Sequence, residues 1–257
     1  MSMEKVRLEN VSKRYGSLLA VDSLTLKLEA GEIFGFLGPN GAGKTTTIKM
    51  IAGLLKPTSG KVYISGLDVL SSPKAAKAKL GYVPDSPFLY NRLTGREFLY
   101  LVAGLYGLDG DRLEKKLEWL FDMFGIGDWV DTYAGEYSHG MKQKIVLSSA
   151  IIQDPELLLI DEPMVGLDPE SQRVVKDFCR LFAQMSGTST GGGTVFMSTH
   201  TLSVAEEVCT HIGIIHKGKL LLLTTPEELK REATKRGLTL EGYFLELTGG
   251  GRKVHIP

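Results

Sequence analysis

"EIFGFLGPNGAGKTTTIKM", residues 32–50, decides the fold. Its opening "EIFGFLG" is apolar on both faces, as a strand in a parallel sheet must be when helices cover it from either side. The run continues into "GPNGAGKTT", Gly38–Thr46, which fits G-x-x-x-x-G-K-[ST] between a strand and a helix. Gly38, Gly41 and Gly43, with Pro39, Asn40 and Ala42 between them, let the backbone curl until successive N–H groups face one anion. A helix beginning near Gly43 adds its positive N-terminal end. Lys44 can reach the β- and γ-phosphates of a nucleotide, and Thr45, with Thr46 beside it, can offer a hydroxyl to Mg2+.

Outward from this loop, strand-like and helix-like runs alternate. "VRLENV" at 6–11 and "SLTLKLEA" at 23–30 show the apolar–polar alternation of half-exposed antiparallel strands. "KVYISG", "LGYVP", "LLLID", "TVFMST" and "IGIIHKGKLLL" predict further strands. Helical spacing occurs near 43–55, 73–79, 95–106, 111–124, 139–153, 170–186, 201–210 and 226–236. From about 86 to 140 there is almost no strand signal, so a helical lobe (86–140) is expected inside an α/β core formed by 1–85 and 141–223, with 224–257 as a C-terminal extension. "GTSTGGGT" at 187–194 reads as a flexible connector. No internal repeat is visible, which implies one nucleotide-binding unit.

The second chemical signal is "ELLLIDEP", residues 156–163, where an apolar strand ends in two carboxylates. Asp161 is placed to hold Mg2+, directly or through water, and Glu162 to orient or deprotonate a water attacking a γ-phosphate. Taken alone, an Asp-Glu pair at a strand end reads as a solvated turn; beside a phosphate loop it reads as catalytic.

Composition narrows the class. The 257 residues are 43% hydrophobic and 23% charged, enough for a sizeable core. Thirty basic and thirty acidic side chains cancel, so nothing in the net charge calls for nucleic acid. Cys179 and Cys209 lack metal-ligand spacing and are expected to be reduced packing residues. No apolar run approaches the roughly 20 residues of a membrane-spanning helix, and "MSMEKVRLEN" lacks the apolar centre of a signal peptide. The chain is therefore not expected to span a membrane, though it could lean on a protein that does.

The order of these motifs resembles the ATP-binding subunit of an ABC transporter over nearly the whole chain. The resemblance implies an α/β fold, a P-loop NTPase (RecA-like) core with an antiparallel β lobe and an inserted α-helical lobe. It also implies that two such subunits, identical or related, stack head to tail around two ATP molecules. Tyr15 in "SKRYG" would stack on adenine, although taken alone a Tyr after a strand is more often surface packing. His200 in "MSTH" would be a switch contacting the γ-phosphate; by itself it reads as a polar cap. Asp168 in "VGLDP" would touch the opposite subunit, and an N-cap explains it almost as well. The family's Leu-Ser-Gly-Gly-Gln signature appears as Tyr137-Ser138-His139-Gly140-Met141, which keeps a hydroxyl at Ser138 and close backbone approach at Gly140 for the ATP held by the partner. Where the family places Gln after "GYVP", this chain has Asp85, a candidate Mg2+ contact through water and a hinge into the helical lobe. No role is assigned to His139, His211, His216 or His255.

"YSHGMKQK" and the closing "LTLEGYFLELTG" resemble the subgroup paired with type-2 exporter permeases. That resemblance implies an ATP-hydrolysing subunit, with ATP and Mg2+ as ligands, that drives export through a separate integral membrane permease. The permease would dock on "DSPFLYNRLT", Asp85–Thr94, whose Phe88, Leu89 and Tyr90 are expected to be exposed. The alternative within the family is a soluble ABC ATPase outside transport. A nucleotide kinase or GTPase would need an acceptor site or an Asn-Lys-x-Asp motif, and no such tetrapeptide occurs. A regulatory module without turnover conflicts with Glu162.

Overall fold

The computed structural model describes residues 4–185 and 192–249, so the expected connector lies outside the described residues up to 191, as do residues 250–257. The chain begins with a long hairpin, β1 (Glu4–Tyr15) and β2 (Leu18–Glu29). Both strands outrun the alternating segments marked in the sequence, because the ladder continues through Arg14↔Leu19 and Tyr15↔Leu18, where backbone pairing and not side-chain burial carries it. In order there follow β3 (Ile33–Leu37), α1 (Lys44–Ile51), β4 (Ser59–Ile64), β5 (Leu67–Asp68), α2 (Pro73–Lys77) and β6 (Leu80–Val83). Then come α3 (Gly95–Leu105), α4 (Gly110–Phe124), α5 (His139–Ile151), β7 (Leu157–Asp161), α6 (Pro169–Gln184) and β8 (Thr194–Thr199). The described chain closes with α7 (Leu202–Val208), β9 (His211–His216), β10 (Lys219–Thr224), α8 (Pro226–Lys235) and α9 (Leu240–Leu247). The two-residue β5 and the α9 helix carry no clear period in the sequence and were not expected.

Two sheets result, an antiparallel one ordered β2-β1-β4-β5 and a six-stranded one ordered β10-β9-β3-β8-β7-β6. In the second sheet, β6, β7, β8, β3 and β9 run parallel, and β10 turns back along the edge. Its parallel strands are mostly apolar because both faces are buried in different cores, whereas edge strand β10 leaves Leu221 and Leu223 exposed. Phe34, Phe36, Leu157, Leu159 and Phe196 point into a core shared with the antiparallel sheet and α1. Ile33, Leu37, Leu158, Ile160, Val195 and Met197 point into the core beneath α5, α6 and α7. Period-two side-chain direction thus gives each strand two apolar faces. On the first face the rings of Phe34, Phe36 and Phe196 meet at tilted angles with centroids 5.2–6.1 Å apart.

Between β6 and β7 the described residues form helices, with one isolated bridge between Thr94 and Tyr133. α3 starts at a capping box in which Thr94 and Glu97 satisfy each other's backbone N–H groups. Leu99, Leu117, Leu120 and Phe124 of this helical segment are buried in the same core as α5. One expectation is corrected here: Phe88 and Tyr90 are exposed, but Leu89 is buried, with only 4% of its surface accessible. The two exposed rings stack edge to face at 5.6 Å while Leu89 turns inward, so the segment alternates and does not present a continuous apolar face. Cys179 and Cys209 are buried and unbridged, and burial pushes the Cys179 thiol up to about 12. No helix among the described residues is long and apolar enough to cross a membrane.

Candidate active site

The carboxyl ends of β3, β7 and β8 lie side by side because the three strands run parallel in register, with Leu37 opposite Thr199 and Asp161 opposite Ser198. Each strand therefore delivers its next residues to one crevice, the usual ligand position of such sheets. β3 delivers the loop Gly38–Gly43 and then α1. At Gly38 an added Cβ would sit 2.3 Å from the Ile215 carbonyl oxygen, and at Gly43, with φ 111°, 2.5 Å from that of Ala20. Only glycine fits either position, so the loop can press its backbone N–H groups forward. Lys44 is almost wholly buried and curls back over the loop, donating to the carbonyl oxygens of Gly38 at 2.7 Å and Pro39 at 3.3 Å. Its ammonium also lies 3.1 Å from Glu162 Oε1.

β7 delivers the two carboxylates, which diverge. Asp161 is fully buried at the strand end. Glu162 adopts a left-handed conformation, φ 49°, uncommon for a residue with a side chain, and swings its carboxylate toward Lys44 and His200. His200, at the end of β8, donates from Nδ1 to Glu162 Oε2 at 2.9 Å. One residue not singled out in the sequence holds the pair. Ser198 Oγ accepts the Glu162 N–H at 3.0 Å and donates to Asp161 Oδ1 at 2.5 Å. A serine inside a buried strand gave no signal of its own; only the β7–β8 register reveals it.

The charge pattern bears on a cation. Burial raises the Asp161 pKa, the Ser198 hydrogen bond and the neighbouring Thr45 hydroxyl oppose that rise, and the charges of Asp85 and Glu162 add to it. Burial, with the charges of Asp161 and Asp85, also pushes the Tyr82 hydroxyl up to about 12. Asp161 Oδ2 is buried without a hydrogen-bond partner among the described residues. Such an orphan carboxylate oxygen is costly unless something positive completes it. Among the described residues no cluster of three or more His, Cys, Asp or Glu could cage a metal. One carboxylate, one hydroxyl and exposed Asp85 nearby suit Mg2+, which keeps waters and phosphate oxygens in its shell. The residues fit that ion.

The remaining predicted residues lie elsewhere. Tyr15 ends β1 at the hairpin tip, about half exposed, with Lys13 Nζ 5.2 Å from its ring centre. Ser138 caps α5, its Oγ accepting the Met141 N–H at 3.2 Å. Gly140 packs against the start of α6, where an added Cβ would sit 3.0 Å from Ser171 Oγ. Asp168 caps α6 by accepting from the Ser171 N–H at 2.9 Å and the Ser171 hydroxyl at 2.8 Å. The departure from the family's leucine at Tyr137 has a structural cause. Its hydroxyl accepts the Gly95 N–H at 3.0 Å and faces the carbonyls of Val130 and Thr132 at 3.1 and 3.0 Å.

Residues 21–165 match the family described as ABC transporter. The probable multidrug ABC transporter ATP-binding protein YbhF of Escherichia coli is 34% identical over 253 residues, 97% of this chain. The chain spans 43% of that relative's length. The Nod factor export ATP-binding protein I of Burkholderia orbicola is 33% identical over 229 residues, 89% of this chain and 73% of that protein. A solved structure described as the ATP-binding subunit of an ABC transporter has TM-score 0.84 at 32% identity, covering 95% of this chain and 99% of that one. The Gly38–Thr46 loop, the Asp161–Glu162 pair and His200 converge at the strand ends of a chain that, by these matches, belongs to the ABC transporter family, among its ATP-binding proteins.

Proposed function

We propose that the chain is a Mg2+-dependent ATPase subunit that drives export through a separate membrane permease, working at the cytoplasmic face of the membrane as a dimer with a second copy or a related subunit. The observation that carries this reading is the placement of Glu162 between Lys44 Nζ at 3.1 Å and His200 Nδ1 at 2.9 Å, beside the half-satisfied Asp161. In that position Glu162 can accept or orient a proton of water as its oxygen attacks the γ-phosphorus and the bond to the β-phosphate oxygen breaks, giving ADP and phosphate. Lys44 and the loop N–H groups bind the triphosphate, Tyr15 stacks on the base, and His200 orients Glu162. Thr45 and Asp161, with Asp85 through water, would hold Mg2+, which supplies charge neutralisation to the phosphates when bound.

Dimerisation is supported by Ser138 and Gly140. The Ser138 hydroxyl and the first N–H groups of α5 make an anion-accepting helix start separate from the Gly38–Lys44 loop in the chain. A second subunit would bring its γ-phosphate there. Export is supported by the "YSHGMKQK" variant and by a relative whose name is an export protein. Permease docking is assigned to exposed Phe88 and Tyr90. The test is Glu162→Gln in the full chain. ATP binding is expected to persist, hydrolysis to stop and an ATP-dependent dimer to accumulate in sedimentation. Wild-type turnover in this variant would remove Glu162 from the chemistry.

A further inference from the structure

His139 stands where the family signature has glycine, and its ring is committed to a contact within its own chain. Its Nε2 lies 3.1 Å from the Val165 carbonyl oxygen. A carbonyl only accepts, so Nε2 carries the proton there. The ring covers Gly166, whose added Cβ would meet His139 Cδ2 and Nε2 at 3.4 and 3.5 Å. On the other side of that short loop, the Val165 N–H donates to the Glu162 carbonyl oxygen at 3.3 Å. Two hydrogen bonds thus run from the Ser138 segment, through Val165, to the backbone of Glu162. Gly140 against Ser171 braces the same junction.

We infer that His139 couples the two nucleotide sites of the dimer, an inference that rests on the dimeric reading above. In such a dimer each chain gives Glu162 to one ATP and the Ser138 segment to the other. The His139–Val165–Glu162 connection joins these two contributions inside one chain. When the Ser138 segment closes on the partner's γ-phosphate, the displacement of His139 is carried through Val165 to the turn that holds Glu162 in its left-handed conformation. His139 is a positioning residue; it touches neither of the reacting groups in its own chain.

The experiment is an ATP titration of hydrolysis by full-length wild type, His139→Ala and His139→Gln, with ATP affinity and melting temperature measured alongside. Wild type is expected to show a Hill coefficient above unity, bounded by the number of sites. His139→Ala is expected to fall to unity with ATP affinity and melting temperature unchanged, since the ring is exposed. His139→Gln, whose amide can donate to the same carbonyl, is expected to restore cooperativity. An unaltered coefficient in His139→Ala, a wild-type coefficient of unity, or failure of Gln to rescue overturns the inference. If Glu162→Gln stays monomeric with ATP, the dimeric reading itself fails; if it dimerises while His139→Ala stays cooperative, only the role of His139 falls.

Discussion

Lys44 Nζ lies 3.1 Å from Glu162 Oε1, so the cation suited to phosphate and the carboxylate suited to water neutralise each other. Both side chains are largely buried, which makes the pair a stand-in for the charges that a nucleotide would bring. On the proposed function, a triphosphate that draws Lys44 away would free Glu162 to orient water.

Lys44→Ala removes that cation and, on the proposed function, its charge-assisted hydrogen bonds to phosphate, each worth about 1.5–3 kcal/mol. ATP affinity is expected to drop by about tenfold to a hundredfold, with hydrolysis lost. Calorimetric titration of the variant checks this; wild-type affinity would contradict the phosphate-loop assignment.

Ser198→Ala takes away the hydroxyl shared by the Glu162 N–H and Asp161 Oδ1. Asp161 Oδ2 already has no hydrogen-bond partner among the described residues, so the carboxylate would depend on Mg2+ and Thr45. Stability is expected to fall by about 3 kcal/mol, from two buried polar groups left short of a partner. The Mg2+ concentration for half-maximal hydrolysis should shift as well. Denaturant midpoints and a Mg2+ titration that both match wild type would show that Ser198 positions nothing.

Glu156 ties the antiparallel sheet to the parallel one. Lys5 Nζ donates to it at 2.6 Å, Ser65 Oγ at 2.9 Å and Lys79 Nζ at 2.5 Å. Burial would raise its pKa, but these three hydrogen bonds outweigh burial and hold the carboxyl at about 2, against an ordinary 4.5. A folded pKa below the unfolded one gives stability that is full above the unfolded value and lost as pH falls through the folded one. The window is therefore from about pH 4.5 down to about 2, and the contribution is roughly 3 kcal/mol. Urea unfolding across that range should show a steep loss in wild type and a shallower one in Glu156→Gln; parallel curves would refute the assignment.

Tyr137→Phe deletes a hydroxyl that ties the start of α5 to the first turn of α3 and to the Val130–Thr132 carbonyls. The ring stays, edge-on to Trp129 at 5.0 Å, so only the hydrogen bonds are tested. A loss of about 1–3 kcal/mol is expected from the stranded Gly95 N–H. Hydrogen exchange should rise at the start of α3, and unchanged protection there would deny the link.

The fold and half of the site were legible in the chain because their signals are local. Gly38–Thr46 is a contiguous motif, and the apolar runs at 33–37, 157–161 and 194–199 mark buried strands through residue type alone. Asp161 and Glu162 announced themselves by ending such a run. The hairpin's true length was hidden, since pairing at Tyr15↔Leu18 needs a partner strand and no alternation. Leu89 was read as exposed because its neighbours Phe88 and Tyr90 are; which of three adjacent apolar residues turns inward depends on the core waiting beneath them.

By itself the sequence determined that a phosphate loop, a carboxylate pair and a histidine would follow successive buried strands, since each of these depends on neighbours a few residues away. Tertiary structure alone decided that Ser198 reaches the Asp161 carboxylate across 37 residues, that Glu156 meets Lys5 across 151, and that His139 reaches Val165 across 26. Strand register and helix packing bring such pairs together, and a chain read one residue after another carries no distance between its distant parts.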